Sequence, residues 1–198
     1  MRQSVVNSAP DSTLIVELQQ GDLDALGELY DRHRRMVFRT ALAITNDEEA
    51  ASDLLQDVFL RLFRFADRVD PSRPMEPWLY RVTTNLAYTY MKRQKRWWRA
   101  IKDMADWLAR ESRPTSESYA EKEEECNWVR QAITTLPMTH RVVIVLYYVN
   151  NQSIQEISEI LDIPVGTVKS RLYYGRQTLK KKLGMDREFS KEVNYEFT

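Results

Sequence analysis

The chain has 198 residues, 43% of them hydrophobic and 29% charged, with 29 basic against 29 acidic side chains. That balance suits a folded protein of one domain or two small ones. Its longest apolar run, 142–149, is far short of a membrane span, and the N-terminus has no apolar signal core. A single cysteine, Cys126, excludes an internal disulfide and disfavours a thiolate zinc site, so the expected location is cytoplasmic.

Only five glycines among many Leu, Ala, Glu, Arg and Gln favour helix over sheet. Residues 1–11 read as a loose arm. A short helix is expected from about Thr13 to Gln20, closed by Gly21. Asp22 caps a second helix to about Thr45, with Leu26, Leu29, Tyr30, His33, Val37 and Ile44 at core spacing. Asn46 and Asp47 break and recap the chain. A third helix, about 48–66, is expected to bury Ala51, Leu54, Leu55, Val58, Leu62 and Phe65, with Phe59 supporting it from beneath. Its outer faces carry Asp53, Gln56, Asp57, Leu60 and Arg64, an acidic, amide and leucine surface where a solvated helix would show more lysine.

Pro71, Pro74 and Pro77 mark a rigid loop, and Pro77 is expected to open a fourth helix through about Arg96. That helix interleaves cations and aromatics: Arg81, Asn85, Tyr88, Lys92, Arg93 and Arg96, then Trp97 and Trp98. Cations compensate phosphate charge, and flat rings stack on unpaired bases. Trp78 aligns with Val82 and Leu86 and reads as core. A linker follows over 97–118, with a weak helix at 101–109, and a second domain over 119–183. The run 142–149 suits a strand or a helix; without a partner run it reads as helix, with Val142, Val145, Leu146 and Val149 on one face. Residues 184–198 form a tail.

The second domain ends in a helix-turn-helix. Ser153 and Glu156 make a capping box, and Asp162, Ile163 and Pro164 supply the turn. On the last helix Val168, Leu172 and Leu179 face inward. Thr167, Ser170, Arg171 and Tyr174 then face outward, flanked by Lys169, Tyr173 and Arg176. Hydroxyls, cations and aromatics on one such face suit a DNA major groove. The zero net charge conceals sorting: residues 81–102 hold seven basic and no acidic side chains, and residues 163–182 hold six and none. Two cationic stripes point to two contacts with a polyanion. His33 and His140 lie apart with no ligand-spaced cluster, and no phosphate-binding glycine loop is present. The expectation is no catalytic residues, no metal and no cofactor, with His33 at the edge of the core and Cys126 as a small apolar filler.

Residues 14–183 resemble bacterial RNA polymerase sigma factors of the extracytoplasmic-function (ECF) group. LPMTHRVVIVLYYVNNQSIQEISEILDIPVGTVKSRL is similar to sigma region four, SDLLQDVFLRLFRF to the core-binding helix of region two, and PWLYRVTTNLAYTYMKRQKR to its promoter-melting segment. The resemblance implies an all-α fold: two small helical domains joined by a flexible linker. Region two would span 12–96 and region four 119–183. It implies that Asp53, Gln56, Asp57 and Leu60 dock on core polymerase. Arg81, Asn85, Tyr88, Lys92, Arg93 and Arg96 would contact the minus-ten element, with the loop 70–76 holding an extruded base. Thr167, Lys169, Ser170, Arg171, Tyr173, Tyr174 and Arg176 would contact the minus-thirty-five element. Implied partners are core RNA polymerase, duplex and single-stranded promoter DNA, and an anti-sigma factor, in a stress or surface-signal response. Four positions depart from the pattern: Asn151 and Asp162 stand where glycines are usual, Thr89 where Asp is common, and Tyr174 where a basic residue is frequent. The alternative is a stand-alone helix-turn-helix regulator with a helical dimerisation or sensing domain.

Overall fold

The structure, a computed structural model, describes residues 9–108 and 124–183. Every regular element among them is helical. The first half contains α1 (Asp11–Gln19), α2 (Leu23–Thr45), α3 (Glu48–Arg64), a 3₁₀ turn (Ala66–Arg68) and α4 (Met75–Leu108). The second contains α5 (Glu124–Thr134), α6 (Met138–Ile144) continuing into a π turn (Val145–Val149), α7 (Ile154–Leu161) and α8 (Val165–Lys182).

The helix boundaries follow from capping chemistry. The Asp22 carboxylate accepts from the Asp24 amide, and Asp47 accepts from Ala50, so both acids cover free N–H groups of a first turn. Asn46 ends α2 in the left-handed conformation at φ 55°. Asn151 and Asp162, at the two glycine-preferring positions, both adopt φ 53°. A short polar side chain tolerates that backbone better than other non-glycine residues do. At the next helix, the Ser153 N–H donates to Glu156 Oε2 at 2.7 Å and the Glu156 N–H to Ser153 Oγ at 3.2 Å, completing the capping box.

In the first half Leu29, Val37, Val58, Leu62 and Leu79 are sealed in one cluster that also takes in Ile15 of α1. Phe59 lies beneath α3 at 5% exposure and meets Tyr30 edge-on at 4.9 Å. Trp78 packs against this cluster, as its spacing predicts. Phe65 does not: α3 ends at Arg64, so Phe65 leaves the helical register and stands 40% exposed beneath the Arg68 guanidinium. His33 is buried, with Nε2 2.7 Å from Asp11 Oδ2. Arg32 also pairs with Asp11, so this cluster pins α1 to α2.

Two further expectations require correction. The fourth helix starts at Met75, which places Pro77 in its first turn where no intrahelical N–H is needed. It then runs unbroken to Leu108, through the residues expected to begin a linker. No proline or glycine occurs between 78 and 108 to stop it. The arm up to residue 8, linker residues 109–118, the domain start at 119 and the tail from 184 lie outside the described residues, as do the side chains of Trp98 and Cys126.

The second correction concerns 142–149. The run is helical, but burial is not confined to one face: Val142, Val143, Ile144, Val145 and Leu146 are all buried. They are enclosed from both sides, because this segment packs on α8 and also on α2 of the first half. A single apolar cluster joins Ala41, Ile44 and Tyr80 to Val143, Leu146, Ile157 and Leu172. Gly175 permits the close crossing of α8 on α6; a Cβ there would lie 2.9 Å from Ile144 Cγ1.

Candidate nucleic-acid interface

Three surfaces carry the predicted residues. On α3, Asp53, Gln56, Asp57 and Leu60 all point to solvent, Leu60 at 51% exposure, because the opposite face supplies Ala51, Leu54, Val58 and Leu62 to the core. Phe63 extends this strip at 48% exposure. Sequence reasoning passed over it, although it falls three residues after Leu60 and outside the core spacing.

On α4, Arg81, Asn85, Tyr88, Lys92, Arg93 and Arg96 are all exposed, while Leu79, Thr83, Thr84 and Ala87 face the core. Thr83 and Thr84 can be buried without an unsatisfied hydroxyl, because each donates back to a carbonyl four residues earlier, at 2.7 and 2.8 Å. Thr89, Lys92, Arg93, Lys95 and Arg96 line an open groove along the helix. Thr89 donates to the Asn85 main-chain carbonyl at 2.9 Å, and Asn85 itself is exposed. Arg81 differs from the rest of the stripe. Its Nε donates to the Ile160 carbonyl at 2.9 Å and its Nη2 to the Glu159 carbonyl at 2.6 Å, both on α7.

The loop before α4 is fixed from within. The Ser72 N–H and Oγ donate to Asp70 Oδ1 at 2.9 and 2.6 Å, and the Arg73 guanidinium approaches the same carboxylate. The Ser72 hydroxyl and then the Ser72 amide hold Asp70 below the usual carboxylate pKa. From α1, Gln19 Nε2 donates to the carbonyls of Ala66 and Val69 at 3.0 and 2.9 Å.

On α8 the buried Val168, Leu172 and Gly175 define the inner face. Ser170, Tyr173 and Tyr174 are exposed opposite it, and Thr167, Lys169, Arg171 and Arg176 are half-buried on the flanks. Gln177 is also exposed and continues the line of Ser170 and Tyr174 at helical spacing. It was absent from the predicted set, and that spacing was the available signal. Arg176 donates from Nε to the Tyr148 hydroxyl at 2.6 Å and lies over the rings of Tyr147 and Tyr148. Beneath the helix, burial and then the Arg171 charge lower the pKa of His140, which favours the neutral ring.

The description "Sigma-70 region 2" matches residues 29–97 and "Sigma-70, region 4" matches residues 126–179. The chain is 32% identical over 176 residues to the ECF RNA polymerase sigma factor SigW of Bacillus subtilis, covering 85% of this chain and 94% of that one. The chain belongs to the ECF sigma factors. Other relatives of this sigma factor include SigE of Mycolicibacterium smegmatis, 30% identical over 81% of this chain and 62% of that protein. The ECF sigma-E factor of Escherichia coli is 28% identical over 87% of this chain and 94% of its own. Among solved structures, CnrH in complex with the cytosolic domain of CnrY superposes with a TM-score of 0.65 at 25% identity, covering 89% of this chain and 98% of that one. The sigma factor RpoE of Bartonella quintana, solved with the anti-sigma factor NepR, shares the fold at a TM-score of 0.62 and 20% identity over 81% of this chain and 98% of that one. The sigma factor described here is all-helical in both matched regions, and no helix among its described residues is long and apolar enough to cross a membrane.

Proposed function

We propose that this sigma factor docks on core RNA polymerase through the outward face of α3, with Asp53, Gln56, Asp57 and Leu60 as its centre and Phe63 at its edge. Residues 12–96 serve as region two, 97–118 as the connection, 119–183 as region four and 184–198 as a tail. The α4 stripe of Arg81, Asn85, Tyr88, Lys92, Arg93 and Arg96 contacts the minus-ten element and its unpaired non-template bases. Thr167, Lys169, Ser170, Arg171, Tyr173, Tyr174 and Arg176 serve the duplex minus-thirty-five element. The protein acts in the cytoplasm and performs no chemistry itself; the polymerase does. An anti-sigma factor is the expected negative regulator.

One observation supports this reading above the others: an exposed acidic and apolar strip on α3 adjoins an exposed cationic and aromatic stripe on α4 in the same domain. The first chemistry suits a protein partner, the second a polyanion. The decisive experiment is in vitro initiation with purified core polymerase. Asp53→Arg combined with Gln56→Ala is expected to abolish core binding while leaving helical content and thermal stability nearly unchanged. A folded double variant that binds core like the wild type would sink the α3 assignment. Operator binding by the chain alone, with no affinity for core, would favour the stand-alone regulator.

A further inference from the structure

Three side chains able to ligate a metal meet where α1, α2 and α4 converge. Asp11 stands in the first turn of α1, His33 within α2 and Glu76 in the first turn of α4. One oxygen of each carboxylate and one ring nitrogen of His33 all lie within 4.8 Å of one another. Their distance along the chain conceals the group in the sequence, where neither histidine shows ligand spacing. His33 is 6% exposed and its Nε2 stands 2.7 Å from Asp11 Oδ2, so the ring is fixed in direction. Asp11 is fixed as well: Arg32 pairs with its other oxygen and donates to the Ala9 carbonyl at 2.8 Å. Glu76 is the exposed member. A helix N-terminus accounts for an acid at that position. It does not account for a second carboxylate beside Asp11, because like charges repel and the His33 nitrogen already serves Asp11.

We infer that Asp11, His33 and Glu76 bind one divalent transition-metal ion of the zinc class, with water in the remaining position. One imidazole with two carboxylates is a nitrogen and oxygen donor set that suits zinc and its neighbours, whereas magnesium and calcium take oxygen ligands. Zinc bonds of about 2.0–2.2 Å in tetrahedral geometry separate the ligand atoms by about 3.4 Å. The 2.7 Å contact between His33 and Asp11 then opens by about 0.7 Å. Glu76 closes in by no more than about 1.5 Å, which rotation of an exposed side chain supplies. Arg32 keeps the Asp11 carboxylate oriented through its outer oxygen, as the hydrogen-bond partners of ligating carboxylates do. The ion joins α1, which lies outside the matched region two, to the helix that carries the proposed minus-ten stripe. Glu76 is also the last residue of the segment 70–76, so an occupied site anchors one end of that segment.

The test uses the full chain, stripped of metal by a chelator, with zinc chloride as the probe. Calorimetric titration should give one-to-one binding in the micromolar range or tighter. The melting temperature should rise by about 5–10 °C at a zinc concentration one hundred times the dissociation constant. Cobalt(II) in place of zinc should develop the visible absorption of a four-coordinate site. Glu76→Gln, at an exposed position, should weaken zinc binding at least tenfold with helical content unchanged, and Asp11→Asn should do the same. Cys126→Ser should bind zinc as the wild type does, which separates this site from the thiol. Magnesium chloride at equal concentrations should leave the melting temperature where it was. No saturable zinc binding below millimolar concentration overturns the proposal. So does undiminished binding by either Glu76→Gln or Asp11→Asn, loss of binding in Cys126→Ser, or an equal response to magnesium. None of these readouts involves core polymerase or promoter DNA, so they decide the metal site independently of the sigma assignment.

Discussion

Arg141 offers a large expected stability change. It is 5% exposed, and its guanidinium is held by main-chain carbonyls: Ile44 at 2.8 Å, Thr134, and Leu136 at 3.4 Å. Burial lowers its pKa, yet a guanidinium stays charged in any folded protein. Arg141→Ala leaves the two well-formed acceptors without their donor. Hydrogen bonds to charged groups contribute about 1.5–3 kcal/mol each, which gives about 3–6 kcal/mol for two. Relief of the buried charge offsets part of this, so the expected loss is about 3–5 kcal/mol. Arg141→Met keeps the apolar stem while removing the charge, and should cost about 1–3 kcal/mol. Urea unfolding followed by circular dichroism reads both. With a slope of about 2 kcal/mol per molar, the Ala midpoint should fall by about 1.5–2.5 M. An Ala variant within about 1 kcal/mol of wild type, or a Met variant less stable than Ala, would refute the account.

Gly175→Ala should lower stability by about 1–2 kcal/mol in the same assay, because the clash with buried, β-branched Ile144 outweighs the helical gain. Gly27→Ala, whose Cβ would meet nothing within 4 Å, should raise it by about 0.5–1 kcal/mol. Asp162→Gly should gain about 0.5–1 kcal/mol by relieving a left-handed backbone; a loss would show that the side chain contributes more than its strain costs. The Ser153 amide and then its hydroxyl hold the Glu156 pKa below the ordinary 4.5. That stabilisation is present above pH 4.5 and is lost as pH falls through the folded-state value. The gap in melting temperature between wild type and Glu156→Gln should therefore shrink between pH 5 and pH 3, with the pH limits about those of a carboxylate. His140 has the opposite charge type and a lowered pKa, so its contribution falls as pH drops below the ordinary 6.5. His140→Gln should accordingly flatten the stability profile between about pH 7 and pH 5.

The capping positions were legible in sequence because their chemistry is local: Asp22, Asp47, Ser153 and Asp162 all sit where a side chain reaches a neighbouring amide or a turn needs a left-handed residue. The outward faces of α3 and α8 followed from the core spacing, with Phe63 and Gln177 recoverable by the same rule. What escaped is long-range. A helical wheel assumes one buried face, whereas Val142–Leu146 is covered by partners from both halves. Charge sorting marked Arg81 as cationic surface, but nothing local reveals that the carbonyls of Glu159 and Ile160, 78 and 79 residues away, engage it. Arg176 likewise acquires Tyr147 and Tyr148 as neighbours through the crossing of α8 on the π turn.

Gln19 lies outside the matched region two, which begins at residue 29, yet its amide grips the carbonyls of Ala66 and Val69 at the entrance to the loop 70–76. Within that loop Asp70 gathers the backbone amide and hydroxyl of Ser72, and Pro71 and Pro74 restrict the chain further. Ordering a loop costs conformational entropy, about 1–2 kcal/mol for each residue fixed. In this molecule that entropy is surrendered during folding, before any nucleotide arrives. If the loop holds an unpaired base, as the family resemblance implies, that base would meet a backbone already arranged, and its binding energy would go into keeping DNA strands apart rather than into ordering protein. On the proposed function, Gln19→Ala would slow promoter opening by loosening this loop, while leaving the duplex contacts proposed for α8 unaltered.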